Sequence, residues 1–402
     1  MRRTLRAILG AALLAGCHAL QPLPSSSPVT PVGTSAGTPL SPPVGAPASI
    51  GLEFLGQQRL PHAYRYNDTT VGGLSGLDFD TATGRYVAIS DDRSELQPSR
   101  FYRLSLDLAR FNRRGDPGYE GVVLHEVRTL RRPDGSAFPD YRTDPAHAAD
   151  PESIRVHRPS GRLVWSSEGD RATGNAREVL VDPHVWEIDR DGGFVRALPL
   201  PDKFRASATE RGIRRNLAFE GLAFSPDYTT LFVATENALL QDGPVASLTA
   251  SSPSRIIAYD FASGHVVAEY VVDVAPIPIA PRAGGFADNG ISEILALTAD
   301  RLLVMERSFA QGVGNTIRLF EVDLRGATNV AGLESLAGQA YAAAPKRLVL
   351  DLATLGIRLD NFEGMTWGPM LPDGRRSLVL VSDDNFNPQQ ATLFFAFAVD
   401  AR

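Results

Sequence analysis

The sequence predicts an all-β protein, a β-propeller of four-stranded antiparallel blades in which five repeat units are visible. Two observations carry this prediction. A short phrase recurs at intervals of about 70 residues, and each copy begins a set of short apolar runs separated by Gly, Pro and Asp turns. Such runs of β-branched and aromatic residues between turns are typical of strands. Four strands per repeat, stacked radially, form a propeller, whereas solenoid repeats usually span about 20 to 45 residues.

The first 49 residues precede the predicted domain. Residues 1–6 are basic, residues 7–15 are apolar but too few to span a bilayer, and residues 14–17, Leu-Ala-Gly-Cys, resemble the lipobox of bacterial lipoproteins. This resemblance implies a signal peptide over residues 1–16 and lipidation of Cys17. The alternative is an ordinary secretion signal with an incidental cysteine. His18 after the cysteine is consistent with sorting to the outer membrane, so we expect a lipid-anchored protein of the bacterial cell envelope.

Residues 17–49 contain no Asp, Glu, Lys or Arg and are predicted to be a disordered Pro/Ser/Thr/Gly tether. The folded domain is predicted over residues 50–402. Without the leader's three arginines it has 40 − 3 = 37 basic residues against 46 acidic ones, and it has no basic run. This balance argues against nucleic acid as a partner, and we expect a monomer. Cys17 is the only cysteine, which excludes an intramolecular disulfide and a cysteine metal site.

Within the domain, each unit repeats the same order of strands and turns. The third unit shows it most clearly, with predicted strands over residues 221–224, 231–235, 255–261 and 266–272. The fifth unit lacks a fourth strand, and residues 50–55 form a spare strand at the other end of the domain. We therefore predict that this N-terminal strand completes the last blade, closing the ring and removing two exposed edges. A sixth blade would have to lie in the long insertions 107–150 or 324–350.

The recurring phrase is a small or apolar residue, an acid, a small residue and then an apolar strand. Its acids are Glu152, Glu220, Glu293 and Glu363, and a degenerate copy has Ser75 in place of the acid. The first strand of a blade lines the central channel, so these side chains should converge at one mouth. A second acidic cluster follows each phrase and should return to that mouth: Asp91-Asp92, Glu168 with Asp170, Glu236-Asn237, Glu306-Arg307, and Asp383-Asp384-Asn385.

Converging carboxylates repel one another unless a cation neutralises them, and oxygen-rich ligand sets suit Ca²⁺ or Mg²⁺. Because magnesium prefers fewer protein ligands, we predict calcium, with Glu152, Glu220, Glu293 and Glu363 as its ligands. Two alternatives stay open: each Glu accepts backbone N–H groups from the next blade, or arginines such as Arg307 neutralise the ring. Other chemistries are not supported. The sequence has no nucleophile elbow around Ser75, no histidine pair at metal-ligand spacing and no Walker or dinucleotide glycine motif.

The body of the chain, from about Gly72 onward, resembles the phytase-like family, often described as having esterase-like activity of the phytase type. The residues that carry the resemblance are Asp150-Pro151-Glu152-Ser153-Ile154, residues 216–224, Gly290-Ile291-Ser292-Glu293-Ile294 and Asn361-Phe362-Glu363-Gly364-Met365. It implies a secreted propeller and a metal-dependent hydrolase of phosphoesters or other esters. Of the Asp-Asp-Pro-Ala signature of true β-propeller phytases, the chain has Asp144-Pro145-Ala146. Glu220 and Glu363 also look like the Glu-Gly strand start of calcium-dependent lactonase propellers, where the Glu is a metal ligand.

Three functions follow. The first is a calcium-dependent hydrolase of a small phosphoester or other ester at the channel mouth, with Glu236 and Asp383 as candidate general bases. The second is a non-catalytic lipoprotein that binds a protein or an envelope ligand, held to the membrane through Cys17. The third is a calcium-dependent, lactonase-like hydrolase. A fold alone does not choose between them.

Overall fold

The computed structural model describes residues 50–174 and 178–401, and these form five four-stranded antiparallel sheets arranged as blades around a central axis. The strand of each blade nearest the axis, here called the inner strand, contacts the inner strands of both neighbouring blades. The predicted all-β propeller is thereby confirmed, with five blades. The insertions 107–150 and 324–350 contain the fourth strands of the first and fourth blades rather than a sixth blade.

The blades take their strands in chain order, from the axis outward. The first blade has Leu74–Asp80, Arg85–Ser90, Arg100–Leu106 and Val122–Thr129. The second has Pro151–His157, Arg162–Ser167, His184–Ile188 and Phe194–Ala197. The third has Phe219–Phe224, Thr230–Thr235, Ser252–Asp260 and Val266–Val274. The fourth has Ala287–Ala296, Arg301–Ala310, Gly314–Asp323 and Lys346–Asp351, and the fifth has Asn361–Met370, Arg376–Asp383, Leu393–Ala401 and Ile50–Arg59.

The remaining regular structure is small. Two short hairpins lie outside the blades, formed by Tyr64–Tyr66 with Thr69–Val71 and by Asp170–Ala172 with Val179–Val181. Three single-turn 3₁₀ helices cover Leu108–Arg110, Asp202–Phe204 and Leu352–Leu355. Among the described residues, no helix has the length and apolar character needed to cross a bilayer. Cys17, the predicted signal peptide and the predicted tether lie outside the described residues.

The N-terminal strand closes the ring as predicted. Ile50–Arg59 pairs antiparallel with Leu393–Ala401, from Ile50 opposite Ala401 to Arg59 opposite Leu393. It is longer than the predicted segment 50–55 and occupies the outermost position of the fifth blade. The strand that comes first in the propeller thus covers the edge of the strand that comes last.

The hydrophobic core lies between the blades. Each of the five interfaces between neighbouring blades has its own cluster of buried side chains. In the second strand of the third blade, Phe232 and Ala234 pack toward the fourth blade, whereas Leu231 and Val233 pack toward the second. Because successive side chains of a strand point to opposite faces and both faces are covered, these strands are apolar throughout rather than alternating.

Every inner strand has a break in its register at the recurring phrase. The breaks lie between Leu74 and Gly76, Pro151 and Ile154, Phe219 and Leu222, Ile291 and Glu293, and Phe362 and Gly364. Such a β-bulge bends a strand and re-aims a side chain. The phrase therefore marks the point where each inner strand turns a side chain toward the mouth of the channel.

Candidate functional site

A buried arginine on the axis provides a common reference for the five blades. The Arg155 guanidinium donates hydrogen bonds to one carbonyl of each inner strand, at 2.6 to 3.2 Å: Leu77, Ile154, Leu222, Ile294 and Met365. These five residues occupy the same position in their blades. The repeats can therefore be aligned by contact with a single side chain.

This alignment places the acids of the phrase differently in the fourth blade. Two residues before each carbonyl lie Ser75, Glu152, Glu220, Ser292 and Glu363. Ser75 and Ser292 also behave alike, because their hydroxyls donate at 3.2 Å to the carbonyls of Pro151 and Phe362, one blade further on. The acid ring thus has three glutamates and two serines, which corrects the expected ring of four glutamates and one serine.

Glu293, predicted as a metal ligand, aligns instead with the small residues Gly76, Ser153, Gly221 and Gly364. It is fully buried on the axis, and its carboxylate lies 2.7 Å from Nη2 of Arg155. It also accepts hydrogen bonds from the backbone N–H groups of Leu222 and Ile294 and from the Ser153 hydroxyl. Burial raises the pKa of Glu293 to about 7, against the opposing effect of Arg155. All of these contacts are structural, and the Glu293 carboxylate neutralises the charge of Arg155.

The second strand of each blade returns to the start of the inner strand, as predicted, and places one residue opposite that start. The N–H groups of Asp91, Glu168 and Glu236 donate to the carbonyls of Gly73, Asp150 and Ala218 at 2.7 to 2.9 Å. Asp383 occupies the same position opposite Asn361, and Arg307 occupies it opposite Gly290. The fourth blade therefore contributes a cation, Arg307, where the others contribute an acid. Its Glu306 lies within the blade, paired with Lys346.

Two groups of three carboxylates converge at this end of the channel, here called the acidic mouth. Asp150, Glu152 and Glu168 each offer an oxygen within 4.8 Å of the others, and so do Glu168, Glu220 and Glu236. Glu168 belongs to both groups and is held in place by the Ala218 N–H, which donates to its Oε1 at 2.8 Å. The two groups thus form one continuous carboxylate cluster across the second and third blades.

The acidic mouth is electrostatically strained without a cation. Burial, followed by repulsion from the neighbouring acids, raises the pKa values of Asp91, Glu152, Glu168, Glu220 and Asp383 well above their ordinary range. Burial also raises the pKa of Asp150 to about 6 and that of Glu236 to about 8, although arginines act against it. Shifts of this kind, produced by burial and like charges together, concentrate at functional sites.

Two arginines border the cluster. Arg93 is paired with Asp150. Arg307 lies 3.4 Å from Glu236, 3.3 Å from Asp288 and 3.5 Å from Glu363. The alternative in which arginines neutralise the ring is thus realised at the edges of the cluster. Glu168, the acid shared by the two groups, and Glu220 pair with no basic side chain among residues 50–174 and 178–401.

Two buried oxygens of the cluster, Asp150 Oδ2 and Glu236 Oε2, accept no hydrogen bond from the described residues, and the first of them is paired with Arg93. Glu236 is 2 % exposed, and its Oε2 accepts no hydrogen bond from the described residues. A buried polar atom in that state is uncommon in folded proteins and is the position at which a water molecule or an ion binds. The surrounding donors are carboxylate oxygens, the ligands that Ca²⁺ takes in proteins. The residues present therefore fit a hard divalent cation.

A cavity of about 550 Å³ opens beside the acidic mouth, on the side of the fourth and fifth blades. Glu363 and Arg307 reach it from the mouth, and its other lining residues include Asn315, Arg358, Asn361 and Asn385. The Asn361 amide donates to Glu363 at 2.9 Å and to Asp383 at 3.2 Å. The cavity is lined mainly by amides and charged groups and so suits a polar, anionic or hydroxyl-bearing molecule.

Of the six predicted site residues, the structure brings Glu152, Glu220 and Glu236 into the carboxylate cluster. Glu363 and Asp383 lie together beside the cavity, and Glu293 lies on the axis. Sequence reasoning did not assign Asp150 or Glu168 to the metal. Glu168 could have been found, because it holds the same place after a second strand as Glu236. Asp150 carried no such signal, since the equivalent residues are Gly73, Ala218, Gly290 and Asn361.

A family model described as "Phytase-like: Esterase-like activity of phytase" matches residues 69–386. No curated protein matches the chain. Among solved structures, the Dos1 propeller is 8% identical with a TM-score of 0.35, over 82% of this chain and 69% of that one. A gluconolactonase from Xanthomonas campestris is 16% identical with a TM-score of 0.34, over 88% of this chain and 99% of that one. The bifunctional GH43-CE protein of Bacteroides eggerthii is 10% identical with a TM-score of 0.43, over 85% of this chain and 34% of that one. No residue role is carried over from these proteins.

Proposed function

The chain belongs to the phytase-like family, and on that premise we propose that it hydrolyses a phosphate ester or another ester at the acidic mouth with the help of bound calcium. The family description supports ester hydrolysis. The observation that carries the calcium is the carboxylate cluster, in which two groups of three acids share Glu168 and leave Glu236 Oε2 unpartnered.

Asp150, Glu152, Glu168, Glu220 and Glu236 would hold the cation. Two of them, Glu152 and Glu220, were predicted as ligands. Glu363 would form part of the cavity wall, and Glu293 would serve as the structural partner of Arg155. A calcium ion would supply positive charge against the ester oxygen on which negative charge develops during cleavage.

The chain's own residues would bind the substrate and move the proton. Arg307 and Arg358 place two positive charges on the cavity wall, where they would orient an anionic group. Asp383 stays the candidate general base. It is 1 % exposed, and burial together with the neighbouring Glu363 raises its pKa, which favours uptake and return of a proton. Glu236, the other predicted base, is assigned to the cation because it belongs to the cluster.

Calcium binding and turnover test this proposal together. The purified protein is titrated with Ca²⁺ by calorimetry after chelator treatment and is then assayed on phosphomonoesters, carboxylesters and lactones. We expect saturable calcium binding and calcium-dependent turnover of at least one class. Glu220→Gln should lose both, whereas the exposed Glu210→Gln should retain both. Binding without turnover of any class would leave a structural ion and refute the hydrolase; absence of binding would refute the site.

The envelope anchor forms a separate part of the proposal. We propose that Cys17 is lipidated and attaches the domain to the membrane through the tether of residues 17–49. Mass spectrometry of the mature N-terminus should show an acylated Cys17, and Cys17→Ala should release the protein from the membrane fraction. A soluble wild-type protein with an unmodified cysteine would contradict the anchor.

A further inference from the structure

The opposite end of the channel, where the inner strands end, holds a second small cavity of about 110 Å³. It is closed on the inside by Arg155 and is lined by residues of all five blades, among them Asp78, Arg158, Tyr228, Leu295 and Trp367. Arg155, on the axis, separates this cavity from the acidic mouth. The two ends of the channel are therefore separate sites.

Two arginines at this end have no acidic partner. Arg158 and Arg376 line the cavity, and neither makes an ion pair with any carboxylate among residues 50–174 and 178–401. Arg376 lies over the Trp367 ring at 4.2 Å, and Arg158 lies over the Tyr228 ring at 5.7 Å. Stacking on the rings holds the guanidinium planes in position. Arg158 Nη2 donates a long hydrogen bond of 3.5 Å to the Phe79 carbonyl, and the other N–H donors of the two side chains are available. Arg375, the direct neighbour of Arg376, shows the contrast, because it pairs with Glu53, Asp373 and Asp400.

The one acid in the cavity wall is engaged elsewhere. Asp78 accepts a hydrogen bond from the Val156 N–H at 2.9 Å and another from the Thr366 hydroxyl at 2.7 Å. These bonds tie the first blade to its two neighbours. Arg155, the third arginine of the cavity, is already neutralised by Glu293. The two remaining guanidinium groups thus share the cavity with a single carboxylate, Asp78, which makes an ion pair with neither of them.

Like charges in this arrangement also act on each other. Partial desolvation at the cavity, together with the neighbouring Arg158, lowers the pKa of Arg376 to about 10, although Tyr228 and Asp78 act in the opposite direction. An anion between the two side chains would reverse this unfavourable interaction. Guanidinium groups bind phosphate and carboxylate oxygens through paired N–H donors.

We propose that this second mouth, bounded by Arg158, Arg376, Tyr228 and Trp367, is an anion-binding site for a phosphate group. A volume of about 110 Å³ accommodates one such group, free or at the end of a larger molecule. The site differs from the acidic mouth because it is formed by different residues, carries positive charge and would bind its ligand without a metal ion.

Inorganic phosphate is the probe for this site. The purified full-length protein is titrated with phosphate by calorimetry in excess chelator, which removes any metal-dependent phosphate binding at the acidic mouth. We expect one saturable site. Arg158→Gln and Arg376→Gln should each weaken it at least tenfold without lowering the melting temperature, since both side chains are exposed. Arg375→Gln, at the adjacent position outside the cavity wall, is the matched control and should bind as the wild type does.

Glu220→Gln separates this proposal from the proposed function, because it should abolish calcium binding and leave phosphate binding in chelator unchanged. Acetate titrated in place of phosphate tests the ligand class and should bind more weakly. The proposal is overturned if no saturable binding occurs in chelator, if both arginine variants bind phosphate as the wild type does, or if acetate binds more tightly than phosphate.

Discussion

Competition between protons and calcium at the acidic mouth should be visible in the stability of the protein. Glu236 is the clearest reporter, because burial raises its pKa from the ordinary 4.5 to about 8. Since the folded-state pKa lies above the unfolded one, the stabilisation that this carboxyl contributes is complete below pH 4.5 and is lost as the pH rises through about 8. In chelator, the protein should therefore become less stable between pH 6.5 and pH 8.5.

The size of the effect follows from the same pKa. At pH 6.5 the folded carboxyl is about 1.5 pH units below its pKa, which corresponds to about 2 kcal/mol, and at pH 8.5 almost nothing remains. For a domain of about 350 residues this is a fall in melting temperature of about 3 °C. The other raised carboxyls act in the same direction. His184 acts in the opposite direction, because burial lowers its pKa to about 3, but its effect is large only below pH 6.5.

Melting temperatures measured by calorimetry from pH 6.5 to 8.5, in chelator and in saturating calcium, provide the assay. Calcium should flatten the profile, because the bound carboxylates stay ionised at every pH in the window. In chelator, Glu236→Gln should reduce the fall in melting temperature between pH 6.5 and pH 8.5 by about 3 °C. Glu210→Gln should leave this fall unchanged. A chelated wild-type protein whose melting temperature is constant or rises with pH would refute the reasoning, as would a slope that Glu236→Gln does not alter.

Three further predictions concern other parts of the structure. Arg155→Met should lower the free energy of unfolding by about 3 to 5 kcal/mol in urea titrations, because it leaves Glu293 buried without its partner; Arg155→Met with Glu293→Gln should be more stable than Arg155→Met alone, and equal stability would contradict the pairing. Deleting residues 50–59 should expose the edge of Leu393–Ala401 and yield oligomers in size-exclusion chromatography, whereas a monodisperse monomer would count against the closure. Arg307→Gln should tighten calcium binding roughly five- to tenfold by calorimetry, because a competing positive charge is removed from beside Glu236; weaker binding would show that Arg307 supports the site.

The fold was predictable because a propeller repeats its local physics. Each blade has a bulge where its inner strand meets the mouth, and the residues of each bulge form one copy of the recurring phrase. Counting phrases thus counted blades, and the unpaired segment at residues 50–55 identified the closing strand. The register in the fourth blade was not predictable in the same way. Glu293 looks like the other acids in sequence, and its shift by one position became evident only through the carbonyl that Arg155 contacts.

The carboxylate cluster was predictable in part for a related reason. Glu152, Glu220 and Glu236 share their positions with residues of other blades, so the repeat pattern identified them. Asp150 has an acid at its position in a single blade only, and it meets Glu168 because the two residues lie opposite each other beside the first two strands of the second blade. The role of Arg307 was also not predictable from the repeat, because this arginine occupies a position that is an acid in the other four blades. Breaks in a repeat are thus informative only after the repeats have been aligned in space.

The pairing of Ile50–Arg59 with Leu393–Ala401 also has a consequence for how the molecule is made. The strand of the ring that is synthesised first must wait for the strand that is synthesised last, with some 340 residues between them. Four blades can form from contiguous chain while synthesis proceeds, but the fifth cannot close until the rest of the ring exists. A contact of such long sequence separation forms late and slowly. Until then, the first strand stays unpaired.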